Sequence, residues 1–175
     1  MFEESNHPKI SVLIPVYNVE KYVRRCLFSV LNQTMQEGVE VIIVNDCTPD
    51  HSMEEIFEAL RAYSGNERGE KMSVRVVNHD TNHGLAVVRN TAMNYATGDY
   101  VIHVDSDDWI EPDMLEKLYA CAMDTKADIV CCNISLEYKS RQENLCYPYK
   151  EEQYKDLLYI DVLRCSVWNL SLIHI

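Results

Sequence analysis

A chain of 175 residues, 47% apolar and 25% charged, is long enough for one domain with a full hydrophobic core. Its net charge of −12 argues against nucleic acid as a partner, because phosphate backbones are gripped by Lys and Arg. No apolar run approaches the ~20 residues of a membrane span, Met1 to Lys9 lacks the basic and apolar blocks of a secretory signal, and seven cysteines without a C-x-x-C pair argue for reduced core thiols rather than disulfides or zinc ligands; the expected compartment is the cytoplasm.

Residues 1–8 read as a polar tail. Ile10 to Val16 is nearly continuous apolar and β-branched, as a central parallel strand should be. From Glu20 to Gln33, Val23, Leu27, Val30 and Leu31 follow the spacing of an amphipathic helix. A second strand is expected over Val39 to Val44. Ser52 and Glu55 then suggest a capping box opening a helix to about Tyr63. A short strand over Val74 to Val77 precedes a helix opened by Gly84, with Leu85, Val88, Ala92 and Ala96 on one face. Tyr100 to Val104 is the fourth strand. Glu111-Pro112-Asp113 starts a helix with Pro in its first turn, and Ile129 to Ile134 is a fifth strand. The alternation predicts an α/β fold, a mostly parallel sheet with helices on both faces. Beyond it, residues 135–149 suggest a hairpin and Lys150 to Leu163 a helix.

Three loops at expected strand carboxyl ends carry polar residues: Tyr17-Asn18, Asp46 to Asp50, and Asp105 to Asp108. In a parallel sheet all three share one edge, where open α/β sheets bind ligands. Asp105, Asp107 and Asp108 offer the hard oxygens that suit Mg²⁺ or Mn²⁺ shared with substrate phosphates. An isolated D-x-D is more simply a solvated acidic turn. A calcium loop is excluded because Trp109 and Ile110 stand where Asp or Asn and then Gly are needed. A dinucleotide fingerprint is disfavoured by the lack of glycine after the first strand. Asp46 can accept the imide N–H of a uracil. Asp50 reads equally as a ligand group or as a helix cap. Arg89 can reach a phosphate or pair with Asp46 or Asp105, and the sequence leaves both open. His79, His83 and His103 show no ligand spacing, and His103 reads as a packed, hydrogen-bonded core residue.

These residues carry a resemblance. Ile10 to Asn18 followed by Ser29-Val30-Leu31-Asn32-Gln33-Thr34, then Val44-Asn45-Asp46-Cys47-Thr48-Pro49-Asp50, Asn82-His83-Gly84 with Arg89-Asn90, and Asp105-Ser106-Asp107-Asp108-Trp109 resemble four ordered elements of family 2 glycosyltransferases with the GT-A fold. The match spans residues 9–133, within an expected nucleotide-sugar-binding domain of residues 9–134. It implies inverting transfer of a sugar from a nucleoside-diphosphate donor, UDP foremost, to an acceptor hydroxyl on a glycan or lipid-linked chain. Carried over, Pro15, Val16 and Tyr17 would line the base and ribose, and Asp46 would bind the base. Asp105 and Ser106 would face the donor, Arg89 its phosphates, and Asp107 with Asp105 would hold the metal. Cys47 stands where the family usually has Gly, and Pro49 stiffens a loop that often carries Thr there.

Residues 135–169 would then begin an acceptor-side region, with the general base and any membrane-surface contact supplied by residues further along. Leu170 to Ile175 resembles the conceptual translation of a transposon end used in sequencing libraries, and is expected to be foreign to a longer natural protein. Two rivals remain from other classes. A nucleotidyltransferase would bring a basic Gly-rich loop near its first strand, which is missing, and a non-catalytic nucleotide-sugar-binding fragment would bind the donor without transfer.

Overall fold

Strand β1 (Ile10–Val16) is buried at every position and lies at the centre of a six-stranded sheet. It pairs in parallel with β2 (Val39–Asn45), from Ile10↔Val39 to Val16↔Asn45, and with β4 (Tyr100–His103), from Ile10↔Tyr100 to Leu13↔His103. β2 pairs in parallel with β3 (Ser73–Asn78). The computed structural model describes residues 7–64, 72–137, 141–145 and 171–174; the expected helix over Lys150 to Leu163 lies outside them.

Pleating sorts the strand residues onto two faces. Ile10, Val12, Ile14 and Val16 join Val41 and Ile43 beneath α1 (Val23–Leu31), α2 (Ser52–Ser64) and α4 (Met114–Thr125). Leu13, Ile42, Val44 and Val101 face α3 (Leu85–Tyr95), which meets them with Val88 and Ala92. Among the described residues, helices therefore cover both faces, three on one and one on the other. Leu85, expected on the buried stripe, is 52% exposed at the first position of α3, which turns only Val88 and Ala92 fully inward.

Beyond β4, the sheet continues through β8 (Ser171–His174) to β5 (Ile129–Cys131), with β8 antiparallel to both neighbours. β5 is shorter than the expected 129–134, because Ile134 already belongs to β6 (Ile134–Glu137). This strand forms a separate antiparallel hairpin with β7 (Gln142–Leu145), within the stretch where the sequence suggests one.

Helix starts differ from expectation for visible reasons. α1 begins at Val23 rather than Glu20, because the Glu20 N–H goes to Asp50 and its carboxylate accepts the His51 N–H. The expected capping box does not form. Ser52 Oγ instead hydrogen-bonds Asp50 and accepts the Val19 N–H, while Glu55 pairs with Arg24. Pro112 lies ahead of α4, with Asp113 at the cap and the Pro112 carbonyl accepting the Thr34 N–H at 2.8 Å. No helix among the described residues is long and apolar enough to cross a membrane.

Candidate active site

The register that places Val16 beside Asn45 and Asn45 beside Asn78 brings the residues that follow, Tyr17, Asp46 and His79, to one edge of the sheet. Asp46 is the hub of that edge. Its N–H donates to the Val16 carbonyl at 3.0 Å, and its side chain, only 2% exposed, accepts three hydrogen bonds. The His79 ring Nδ1 (2.8 Å) and the His83 N–H (2.9 Å) reach one oxygen, and the Gly84 N–H (2.8 Å) reaches the other. Burial alone would raise its pKa, but the His83 N–H, the His79 ring and the Gly84 N–H outweigh that and hold it below the ordinary carboxylate value. Gly84 adopts φ +85, a conformation that favours glycine and lets the chain turn into α3 with its N–H aimed at Asp46.

Next to β1, the loop after β4 carries the acidic run. Asp105 and Arg89, on the second turn of α3, form an ion pair of 2.7 Å with side chains 23% and 16% exposed. The Asp108 N–H closes a turn on the Asp105 carbonyl at 2.9 Å, leaving Asp107 and Asp108 exposed and Ser106 buried. Asp108 is pushed upward by partial burial and by the charges of Asp107 and Asp105. Beneath this loop the Cys26 thiol donates to the Asp105 carbonyl at 3.6 Å, and burial, with the three carboxylates adding, raises it to about 12. His103 is buried and held near pKa 4, by burial first and then by the Arg89 charge, with Asp105 opposing. Its Nδ1 has no hydrogen-bond partner among the described residues, which corrects the expectation of a hydrogen-bonded core histidine. Trp109, just past the acids, lies under the Arg25 guanidinium at 3.1 Å from the ring centroid.

The loops after β1 and β2 are laced together. Thr48 Oγ accepts the Asn18 N–H, and Asp50 accepts from Thr48, Ser52 and the Glu20 N–H. Asp50 is thus a capping and bracing group, which settles its two readings in favour of structure. Burial would raise its pKa, yet these hydrogen bonds bring it to about 2. Asn18 and Cys47 both sit at positive φ, +56 and +55, and Cys47 is exposed at its turn, as Cys121 is on α4; neither is the core thiol expected from the sequence.

Among the described residues no group of three His, Cys, Asp or Glu side chains forms a ready-made metal cage. The carboxylates of Asp105 and the exposed Asp107 are nonetheless hard donors in a loop of unbalanced negative charge. That set fits Mg²⁺ or Mn²⁺ held by one or two carboxylates with the rest of its shell from phosphate and water.

Of the residues expected at the site, Tyr17 (48% exposed), Asp107 and the Arg89–Asp105 pair lie at the open edge. Pro15, Val16 and Ser106 are buried beneath it, and Asp46 is enclosed by the loop it holds. His79 was the omission. No metal-ligand spacing marks it, but counting one residue past the paired ends Asn45 and Asn78 places it beside Asp46.

A parallel β3-β2-β1-β4 sheet, helices on both faces and an acidic loop at the carboxyl edge define the GT-A type of nucleotide-sugar domain. Residues 11–160 match the model of Glycosyl transferase family 2, and the chain belongs to that family. The Bacillus subtilis (strain 168) protein EpsH is 37% identical over 170 residues, covering 93% of this chain and 46% of EpsH. The poly(ribitol-phosphate) beta-glucosyltransferase of Bacillus spizizenii is 36% identical over 123 residues, 69% of this chain and 18% of that protein. Residues 1–349 of S. aureus TarS, in complex with UDP-GlcNAc, superpose with a TM-score of 0.64 at 29% identity, covering 85% of this chain and 38% of TarS 1–349. The chain therefore spans about half the length of EpsH and less of the others.

Proposed function

We propose that this domain binds a nucleoside-diphosphate sugar, UDP-linked, and that the whole protein transfers the sugar with inversion to a hydroxyl of a glycan or lipid-linked acceptor during cytoplasmic assembly of a polysaccharide. The observation that carries the reading is the Arg89–Asp105 pair, which joins α3 to the acidic loop on the same sheet edge as Tyr17 and Asp46. The likeness to TarS in complex with UDP-GlcNAc supports a uridine donor, and the likeness to a poly(ribitol-phosphate) glucosyltransferase supports a glycan setting.

In this reading Pro15, Val16 and Tyr17 form the floor and rim for base and ribose, and Asp46 meets the base. Arg89 holds Asp105 in place and brings positive charge to a strongly acidic edge. Ser106 supports the turn from below, and Asp107 with Asp105 would hold Mg²⁺ or Mn²⁺. A bound divalent cation would supply Lewis-acid stabilisation of charge on the leaving diphosphate.

The test is calorimetric titration of the chain with UDP, GDP and CMP, each with and without Mn²⁺. Metal-dependent binding of UDP, lost in Asp107→Ala, is the expected result. Equal binding of all three nucleotides, or UDP binding indifferent to both Mn²⁺ and Asp107→Ala, would overturn it.

A further inference from the structure

His79 and its neighbours form a chain of contacts that the donor-binding reading does not use. The ring bridges β2 to α3: Nδ1 is 2.8 Å from Asp46 Oδ1, and Nε2 is 3.0 Å from Thr91 Oγ1. Asp46 is ionised at neutral pH, since its hydrogen bonds hold its pKa below the ordinary value, so its carboxylate can only accept. The proton between the two side chains therefore belongs to Nδ1, and in the neutral ring Nε2 is the acceptor for the Thr91 hydroxyl. His79 opens the loop that Gly84 closes, and Asp46 grips it at both ends, through the ring at one and the His83 and Gly84 N–H groups at the other. The His83 ring then stands edge-on against His79, 5.0 Å between centroids at 86°. Both ring nitrogens of His79 are engaged by Asp46 and Thr91, and the side chain is 11% exposed.

We propose that His79 is a positioning residue for donor binding: donating its Nδ1–H to Asp46 and steadied at Nε2 by Thr91, it orients the Asp46 carboxylate and the 79–84 loop towards the nucleotide base. Two hydrogen bonds occupy one Asp46 oxygen, from His79 and the His83 N–H, whereas the other carries only that of the Gly84 N–H. A carboxylate has about four lone-pair sites, so the second oxygen keeps unused accepting capacity, open to a base N–H where the 79–84 loop gives way, since the side chain is 2% exposed. Without the His79 ring, Asp46 loses the contact that keeps its two oxygens distinct.

This inference rests on the nucleotide-sugar reading, and the experiment separates the two. UDP with Mn²⁺ is titrated into the wild type and into His79→Phe, His79→Asn and Thr91→Val. Long-range ¹H–¹⁵N spectra of the wild type assign the His79 tautomer. Loss of a hydrogen bond to a charged group predicts about tenfold weaker UDP binding in His79→Phe. His79→Asn, whose amide can occupy the Nδ1 position, restores most of the affinity. Thr91→Val keeps the shape of the site and leaves a loss of about threefold, the size of one neutral hydrogen bond. The wild-type ring shows a protonated Nδ1 throughout. A proton on Nε2 alone, or UDP affinity unchanged in a folded His79→Phe or Thr91→Val, overturns the role of His79 while leaving donor binding intact. Equal losses in His79→Asn and His79→Phe would likewise reduce His79 to a packing residue. No UDP binding by the wild type would overturn both readings.

Discussion

Arg89 Nη2 and Asp105 Oδ1 lie 2.7 Å apart, and this ion pair ties the helix after β3 to the loop after β4 across the head of the sheet. Both side chains are largely shielded from water, so the pair differs from a surface salt bridge, where the net gain is close to nil. Removing one partner leaves the other partly buried without its counter-charge. Arg89→Met is expected to lower unfolding free energy by about 2 kcal/mol and to weaken UDP binding, whereas Arg89→Met combined with Asp105→Asn should recover part of the stability without the binding. Chemical denaturation of the two variants, followed by titration with UDP, checks both halves.

Gly84 is a backbone requirement rather than a packing one. A Cβ placed there would meet nothing within 4 Å, yet φ is +85 and ψ is 160. An L-residue resists that geometry, so Gly84→Ala should cost about 1–3 kcal/mol and tilt the N–H that Asp46 accepts. Thermal unfolding should show the loss. An unchanged midpoint would mean that the turn relaxes to another conformation.

At Cys47 the argument runs the other way. Its φ of +55 is one that an L-side chain enters at a cost, and glycine does not. Cys47→Gly is expected to stabilise the protein by about 1 kcal/mol without altering nucleotide affinity, as read by denaturant unfolding. Asn18, at a similar φ, should gain less from the same change, since Asn tolerates the left-handed region.

Two groups give acid sensitivity in adjoining windows. His103 titrates near 4 in the folded chain against an ordinary 6.5, because burial disfavours its charge. The unfolded chain thus binds the extra proton between those values, and stability falls as pH drops through that range. Asp50 is displaced in the same direction, to about 2 against 3.8, because against burial its hydrogen bonds from Ser52, Thr48 and the Glu20 N–H favour the charged form. Its contribution is complete above the higher value and disappears as pH falls towards the lower one. Unfolding followed from pH 7 to pH 2 should show the earlier decline flattened in His103→Phe and the later one flattened in Asp50→Asn.

The sheet and its helices were legible because burial writes itself into periodicity: Ile10 to Val16 and Val39 to Val44 are nearly continuous apolar runs, broken only at Ser11 and Glu40, and the structure buries both. Arg89 was narrowed to two roles, and the structure places it on Asp105. Legibility failed where a residue acts through partners far along the chain. Glu20 falls at the start of a helix expected from apolar spacing alone, but Asp50 and His51 claim it from the next loop. His79 has no spacing signature because its partners, Asp46 and Thr91, come from a neighbouring strand and a following helix. Only register, known once strands are paired, brings such groups together.

The thiol beneath the acidic loop gives the protein an internal clock. Cys26 is fully buried, donates to the Asp105 carbonyl, and is held near pKa 12, so almost none of it is thiolate at neutral pH. Alkylation requires both exposure and ionisation, and lifting of the segment that carries the Asp105 carbonyl would grant both. The rate at which an iodoacetamide label arrives at this sulfur therefore reports openings of the core around α1, those of the loop that bears Asp105 and Asp107 among them, and a donor bound to that loop would slow that share in proportion to its occupancy.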